Sequence, residues 1–288
     1  YVKLNRDMIS FEGEVRKVEQ TVEGFGAPAV KLRDKNVKYK DMYTEGPWFY
    51  KRGGKYYLLY AAGGVPEHIS YSMSDSPEGP WKYMGEIMPL HDTGSFTNHC
   101  GVADFRGHSY FLYHTGRLPG GGGFGRSVAI EEFKYNPDGT FPVIHPTDEG
   151  VSPLAVFNPY RRVQAETIAY SSGVTTEPNA RTGVYVADIH NGDWIKVRNV
   201  DFGPGGPSRF KASVASALRG GAIEVRMDSV AGPLVARINV PGTGGWENWK
   251  TLEAKALMEV PGVHDIYFVF TGRKGPKLFN FDWWEFKK

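Results

Sequence analysis

Two short polar motifs occupy equivalent places in the first half of the sequence. Thr44-Glu45-Gly46 and Thr97-Asn98-His99 each stand just before a run that alternates apolar and polar residues. A carboxyl group set among aromatic and glycine residues, as Glu45 is, can have a raised pKa and serve as a proton donor. The alternative is a solvated loop glutamate, the commoner fate of a single Glu, but the paired motif favours a function for Glu45.

Two further residues in this half are candidates. His99 is either a ligand or polar anchor or a hydrogen-bonded structural histidine, and its position alone does not decide between them. Arg126 ends a glycine-rich run, 119–126, which lacks the Lys-Ser/Thr and the following helix of a phosphate loop. We interpret the run as a flexible loop that puts a guanidinium at a pocket rim, where it can bond several hydroxyls. The alternative for Arg126 is a solvated loop arginine. Of the other histidines in this half, His108 is interpreted as a surface residue and His114 as a packed residue.

The elements that must position these side chains repeat along the chain. Tyr57-Leu-Leu-Tyr60-Ala-Ala-Gly63 aligns with Tyr110-Phe-Leu-Tyr113-His-Thr-Gly116 at an offset of 53 residues. A repeat of this size with several antiparallel strands predicts propeller blades, and two look-alike hairpins are the alternative. First strands line the axis of a propeller, so Glu45 and His99 are expected to converge. The predicted strands are 48–51, 55–62 and 68–73 in the first copy and 101–105, 109–114 and 126–133 in the second.

The start of the chain predicts part of an earlier blade. Residues 1–8 and 13–18 are expected to be its last two strands, which gives about two and a half blades in residues 1–151. Blades that do not close a ring expose unpaired strand edges. We therefore expect this part of the propeller to be incomplete, and the opening Tyr1 predicts a processed or truncated product.

Residues 152–288 follow a connector, 146–159, and lack the repeat. Short alternating runs separated by turns predict a β-sandwich there, with residues 252–258 as the best helix candidate.

Gln164, Glu166 and Asp282 offer oxygen ligands for a Ca²⁺ ion. The loop 244–249 carries two tryptophans, of which we expect one to be exposed to a sugar ring and one to be buried. The predicted strands of the sandwich are 194–200, 210–216, 223–228 and 266–270.

Composition excludes several classes of protein. The chain has 34 Lys and Arg against 32 Asp and Glu, so no strong positive field attracts nucleic acid. No apolar run approaches the ~18 residues of a membrane helix, and no signal peptide is present in this chain. The 36 glycines and the aromatic content of 14% predict an all-β protein, and the single Cys100 excludes an internal disulfide.

Specific motifs occur in both halves of the sequence. Those of the first half are Tyr43-Thr-Glu45-Gly-Pro-Trp48, Ser74-Asp-Ser-Pro-Glu-Gly-Pro-Trp81, Thr97-Asn-His99 and Gly123-Phe-Gly-Arg126, and those of the second are Gln164-Ala-Glu166, Asn191-Gly-Asp-Trp194, Thr243-Gly-Gly-Trp246 and Phe279-Asn-Phe-Asp-Trp283. With these motifs the first half resembles the C-terminal part of a glycoside hydrolase family 43 domain, and the second resembles a carbohydrate-binding module of family 6. The resemblance implies a partial five-bladed β-propeller in residues 1–151, followed by a jelly-roll β-sandwich in residues 152–288.

The first resemblance implies an inverting arabinofuranosidase or xylosidase acting on xylan or arabinoxylan. Its general acid would be Glu45, and Trp48, His99 and Arg126 would contact the sugar. The family's axial histidine often lies near a metal ion, so a second ion beside His99 is a further expectation. Cys100 stands where the family usually has a proline, a difference that is not expected to abolish activity.

The resemblance also implies a missing base. Inversion needs an acid and a base, and the family's base and pKa-tuning residue are aspartates that precede the matching segment. A complementary polypeptide is therefore expected to complete the ring. The aspartates of this chain that stand in no motif resembling that pair are Asp7, Asp34, Asp41 and Asp104.

The second resemblance implies sugar stacking by Trp246 and hydrogen bonding by Asn280, with the predicted Ca²⁺ ligands in the family's structural ion site. Asp188 aligns where a second aromatic is usual, which puts a two-sided aromatic sandwich in doubt. A secreted, cell-surface or periplasmic location is expected. A carbohydrate-binding protein without catalysis and a structural interaction protein are the alternatives.

Overall fold

The computed structural model describes residues 1–27, 43–90, 92–118, 120–148 and 150–288. Asp34, Asp41 and Pro119, which figure in the sequence predictions, lie outside these ranges. The chain divides into two compact units, Tyr1–Val151 and Ser152–Lys288. Both are built from strands, so the predicted fold class, propeller-type sheets followed by a β-sandwich, is confirmed. Among the described residues, no helix is long and apolar enough to cross a membrane.

The first unit contains three antiparallel sheets in its described part. A four-stranded sheet runs in the order β3-β4-β5-β6, a three-stranded sheet in the order β7-β8-β9, and β1 pairs with β2. The elements are β1 (Lys3–Leu4), β2 (Phe11–Glu12), α1 (Val22–Phe25), β3 (Tyr43–Arg52), β4 (Lys55–Ala62), β5 (His68–Ser74), β6 (Lys82–Met88), β7 (Gly101–Phe105), β8 (His108–Thr115) and β9 (Ser127–Phe133).

The two larger sheets of this unit share one apolar cluster. Strand β5 is buried along its whole length, and side chains from both sheets meet around Tyr71, Phe111 and Phe141. The Tyr71 hydroxyl accepts the N–H of Phe141 at 3.0 Å, which fixes the segment after β9 against β5. The repeat thus places two hairpins of similar sequence against a common core.

Two expectations for this unit need correction. Residues 13–18 form no regular strand: Val15 is exposed, and Val18 is partly buried against a cluster that contains Phe25, Tyr60 and Trp81. Strand β3 starts at Tyr43, so Glu45 lies within the strand rather than before it. The fourth strand, β6, was not predicted, because Lys82–Met88 lacks the aromatic pattern of its neighbours.

The second unit is a sandwich of two antiparallel sheets. One runs β12-β13-β20-β15-β18 with β10 added to β20, and the other runs β11-β14-β19-β16-β17. Its strands are β10 (Val163–Gln164), β11 (Tyr170–Ser172), β12 (Thr175–Asn179), β13 (Gly183–Ala187), β14 (Trp194–Asp201), β15 (Arg209–Ser216), β16 (Gly221–Met227), β17 (Leu234–Val240), β18 (Gly245–Lys255), β19 (Val263–Thr271) and β20 (Asn280–Lys287).

Strand β18 corrects two predictions. The helix predicted at 252–258 is wrong, because Leu252 and Ala254 alternate with Glu253 along β18 and pack on the core from that strand. Trp246 and Trp249 lie in the same strand and not in a loop. Both are half-buried, so the expectation of one exposed and one buried tryptophan is also wrong.

Candidate active site

Glu45 lies in an irregular stretch of β3. The pairing of β3 with β4 shifts register on both sides of Glu45, between Tyr43 and Glu45 and between Glu45 and Trp48. The next residue, Gly46, has a φ of +60°, a conformation that favours glycine. A Cβ at Gly46 would stand 2.7 Å from the His99 ring. Glycine is therefore required here, both by the backbone and by the close approach of His99.

This approach brings the predicted acid and the predicted axial histidine together. Glu45 Oε2 lies 3.6 Å from His99 Nε2, and that nitrogen is buried without a hydrogen-bond partner. The two motifs therefore do converge, as the propeller geometry predicted. The Glu45 side chain itself is about half exposed, so it remains open to a ligand.

A third ionisable group joins them. Glu67, just before β5, is only 2% exposed. The three groups Glu45, Glu67 and His99, here called the Glu-His cluster, each offer one ligand atom, and these atoms lie within 4.8 Å of one another. Burial raises the pKa of Glu67, the hydrogen bond from the Asn98 N–H lowers it, and the Glu45 charge raises it further. Its Oε1 has no hydrogen-bond partner.

Glu67 also holds the loop that carries His99. Its Oε2 accepts the Asn98 N–H at 2.8 Å, and Asn98 Oδ1 accepts the His114 N–H at 3.0 Å. The His99 N–H in turn donates to His114 Nδ1 at 3.3 Å, and the two imidazole rings stack with centroids 5.3 Å apart. Burial, then the charges of Arg126 and His99, lower the pKa of His114. The ring can therefore stay neutral and accept this bond.

Arg126 and Trp48 lie in the same unit as the cluster. Arg126 is exposed, and its Nη1 donates to Thr97 Oγ1 at 2.7 Å, two residues before His99. The Trp48 ring lies over Gly101, where an added Cβ would be 3.7 Å from it, and is 42% exposed. Both side chains therefore contact the segment Thr97–Gly101, on which His99 also lies.

Sequence reasoning missed Glu67 and the contact of His114 with His99. Glu67 follows the uncharged run Gly63-Gly64-Val65-Pro66. A single carboxylate next to such a run was the sequence feature that could have indicated a functional residue. Its burial and its bond to Asn98 depend on a contact across 31 residues, which no local pattern encodes.

The sandwich holds a second group of predicted residues. Asn280 is fully buried; its Nδ2 donates to the Trp246 carbonyl oxygen at 2.8 Å, and its Oδ1 has no partner. Lys277 Nζ stands 4.9 Å from the centroid of the Trp246 ring and 3.8 Å from Glu177. The structure thus brings Trp246 and Asn280 into contact and places a cation at one side of the indole.

The predicted Ca²⁺ ligands fit a hard cation. Glu166 Oε2 and Asp282 Oδ1 are both buried without hydrogen-bond partners. Burial raises the pKa of Asp282, the hydrogen bond from Ser213 lowers it, and the Glu166 charge raises it further. The Ala165 N–H donates to the Asp282 carbonyl oxygen at 2.8 Å, and Gln164 pairs with Trp283, so the two segments meet at Asp282, with Glu166 just past the end of β10. Buried carboxylate oxygens without partners are what an oxygen-ligated ion would neutralise.

A glutamate against a histidine on propeller-type sheets, followed by a β-sandwich with a tryptophan beside a buried asparagine, is the combination expected of a glycosidase domain joined to a carbohydrate-binding module. The family model for "Glycosyl hydrolases family 43" matches residues 1–141, and that for "Carbohydrate binding module (family 6)" matches residues 164–288. The chain accordingly belongs to glycoside hydrolase family 43 in its first unit and carries a family 6 carbohydrate-binding module in its second.

Individual relatives agree with this assignment. An arabinoxylan arabinofuranohydrolase from Paenibacillus polymyxa is 40% identical over 263 residues, which is 84% of this chain and 41% of the relative. One from Bacillus subtilis (strain 168) is 40% identical over 264 residues, 84% of this chain and 51% of the relative. The chain thus spans about half the length of these curated relatives.

A solved structure is similar over the whole chain. It is a family 43 arabinoxylan arabinofuranohydrolase from Bacillus subtilis in complex with cellotetraose, with a TM-score of 0.80 and 35% identity. The similarity covers 100% of this chain and 58% of that one.

Proposed function

We propose that this chain is the acid-bearing part of an inverting glycosidase that releases arabinofuranosyl groups from arabinoxylan, with Glu45 as the general acid. The observation that carries the proposal is the contact of Glu45 with His99 in a cluster that is open to solvent on the Glu45 side. The names of the 40% identical relatives favour arabinose over xylose as the released sugar.

The Glu-His cluster does not supply the base. An inverting enzyme separates its two carboxyl groups by ~6.5–9.5 Å so that a water molecule fits between them. The ligand atoms of Glu45 and Glu67 lie within 4.8 Å, and Glu67 is buried and bonded to Asn98. We therefore propose that the base comes from polypeptide other than the described residues, such as a complementary propeller segment. A larger complex in size-exclusion chromatography, with a second polypeptide, would support this.

Two further parts of the proposal concern ligands and location. The sandwich is proposed to bind the xylan chain at Trp246 and to hold a structural Ca²⁺ ion at Glu166 and Asp282. His99, with Glu67, would hold a second ion if one binds near the acid. Because a polymeric plant polysaccharide stays outside the cell, we propose that the protein acts there, either secreted or attached to the cell surface or in the periplasm.

The general acid is tested by a rate measurement that does not require the base. Azide, an external nucleophile, can replace the base-activated water, so turnover of a methyl arabinofuranoside, whose poor leaving group needs a proton, is measured with azide present. Glu45→Gln is expected to lower the rate by about 10²–10⁴-fold, the range of general acid catalysis. The matched control is Glu132→Gln, which alters another Glu-His pair of the same unit, with His108 Nδ1 at 2.6 Å.

Two results decide the matter. Equal rates for Glu45→Gln and Glu132→Gln would overturn the role of Glu45. A carbohydrate-binding protein without catalysis would show no turnover in any variant, and a methyl xyloside measured in parallel tests the preference for arabinose.

A further inference from the structure

Two phenylalanines of the first unit are exposed side by side. Phe96 is 46% exposed and Phe124 is 67% exposed, and their rings meet edge to face with centroids 5.4 Å apart. Phe111, Phe133 and Phe141 of the same unit are buried in its core. The exposed pair therefore adds little to packing, although it keeps a large apolar surface in water.

The backbone fixes this pair in place. The Phe96 N–H donates to the Gly123 carbonyl oxygen at 2.7 Å, and the Gly123 N–H donates to the Gly94 carbonyl oxygen at 3.3 Å. Ser95 Oγ also donates to the Gly123 carbonyl oxygen, at 3.2 Å. The glycine-rich loop before Arg126 is thus tied to the segment before Thr97. An aromatic surface held by the main chain loses little conformational freedom when a ligand binds.

The pair is continuous with the candidate active site. Phe96 directly precedes Thr97, and Phe124 stands two residues before Arg126. Arg126 Nη1 donates a hydrogen bond to Thr97 Oγ1 at 2.7 Å, so the two phenylalanine segments are joined there. The carbonyl oxygen of Phe96 accepts the Glu67 N–H at 2.8 Å, so the same segment is anchored to the Glu-His cluster. A polymer with one side group at Glu45 would have its neighbouring sugars close to these rings.

We propose that Phe96 and Phe124 form a binding platform for the pyranose rings of the xylan main chain, separate from the pocket that takes the arabinose. The apolar C–H faces of neutral pyranoses stack on exposed aromatic rings, and no charge is needed for this contact. This inference rests on the proposed function and specifies its substrate as a polymer. Aryl arabinofuranosides have no xylan chain and would not use the platform.

The platform is tested by the affinity for xylohexaose, measured by titration calorimetry on the full 288-residue chain. All variants carry Trp246→Ala, which removes the proposed stacking residue of the sandwich. Phe124→Ala is expected to weaken binding about five- to tenfold, while Phe124→Tyr, which keeps a ring, retains it. Phe105→Ala is the matched control, since Phe105 is 55% exposed at the far end of β7 from the Thr97–Gly101 segment.

The outcomes separate the platform from the catalytic proposal. Equal affinity of Phe124→Ala and Phe105→Ala, or no binding by the parent with an intact Phe124, overturns the platform. A loss confined to Phe124→Ala supports the platform even where turnover proves independent of Glu45, in which case the catalytic proposal alone fails. Melting temperatures of all variants verify that each is folded.

Discussion

The two units differ in where their buried polar atoms without hydrogen-bond partners lie. In the sandwich, the unpaired oxygens of Glu166 and Asp282 lie in a unit with one continuous apolar core, and both belong to carboxylates that a cation would neutralise. In the propeller-type unit, the unpaired Glu67 Oε1 and His99 Nε2 lie beside Glu45, which is half exposed. The unpaired carboxylate oxygens of the sandwich therefore suit a structural ion, whereas the unpaired atoms of the propeller-type unit stand next to a group that is open to a ligand.

The strands that carry these groups differ in the same way. Strand β20 is buried from Asn280 to Trp284 and pairs with β10, β13 and β15. Strand β3, which carries Glu45, is mostly exposed and shifts register twice. We infer that backbone geometry controls the site around Glu45 and that charge compensation controls the site around Asp282. Changes to the backbone should therefore affect turnover, and removal of an ion should affect stability.

Among changes to residues other than Glu45, the largest effect is expected at Gly46. Gly46→Ala puts a Cβ 2.7 Å from the His99 ring and should displace His99 or Glu45, lowering azide-supported turnover about 100-fold. Gly53→Ala is the matched control, because Gly53 also has a positive φ, +56°, but has no neighbouring atom within 4 Å. Both variants carry the same backbone strain, so equal kcat/KM values would show that the contact with His99 is unimportant.

A chelator should lower the stability of the sandwich. Calcium at 100 times its Kd would stabilise the sandwich by about 2.7 kcal/mol, which calorimetry would show as a lower Tm of one transition after chelation. Asp282→Asn removes a buried charge and should abolish the response to calcium. An unchanged Tm in the chelated parent would contradict the ion site.

The pH dependence of the ion-free sandwich follows from the same carboxyl group. The pKa of Asp282 is raised on folding, so its contribution to stability is full below the ordinary aspartate pKa of ~3.9 and is lost as pH rises through the folded value. The ion-free parent should therefore lose stability relative to Asp282→Asn above that pH. Parallel pH profiles of the two proteins in chelator would argue against a buried, uncompensated Asp282.

The smallest effect is expected at Trp246. Trp246→Ala should weaken binding of insoluble xylan about tenfold, as expected for the loss of one stacked ring, and should leave turnover of an aryl arabinofuranoside unchanged. Trp194→Ala, which removes a half-buried indole from the other sheet, is the control in pull-down assays. Equal binding by the two variants would place the sugar elsewhere on the sandwich.

The sequence predicted the parts of the fold that local patterns encode. Strands β4 and β8 followed from alternating aromatic residues and from the repeat, and the repeat also predicted that Glu45 and His99 converge. Strand β18 was misread as a helix over 252–258 because Leu252, Ala254 and their neighbours are good helix formers, and pairing with β15 overrides that preference.

The missed features depend on contacts between distant segments. The burial of Glu67, the approach of His99 to Gly46 and the stacking of His114 on His99 each join residues from different strands or loops. A single sequence contains no local signal for such contacts. Residue types could be recognised as able to do chemistry, but their partners could not.

The most direct test of Glu45 as a general acid compares leaving groups. Protonation matters when the leaving group is a poor one, and matters little for 2,4-dinitrophenolate, which departs without a proton. With azide present, Glu45→Gln should therefore lose most of its activity on a methyl arabinofuranoside and little on the dinitrophenyl arabinofuranoside. An equal loss on both substrates would contradict proton donation by Glu45 and would assign it a role in binding alone.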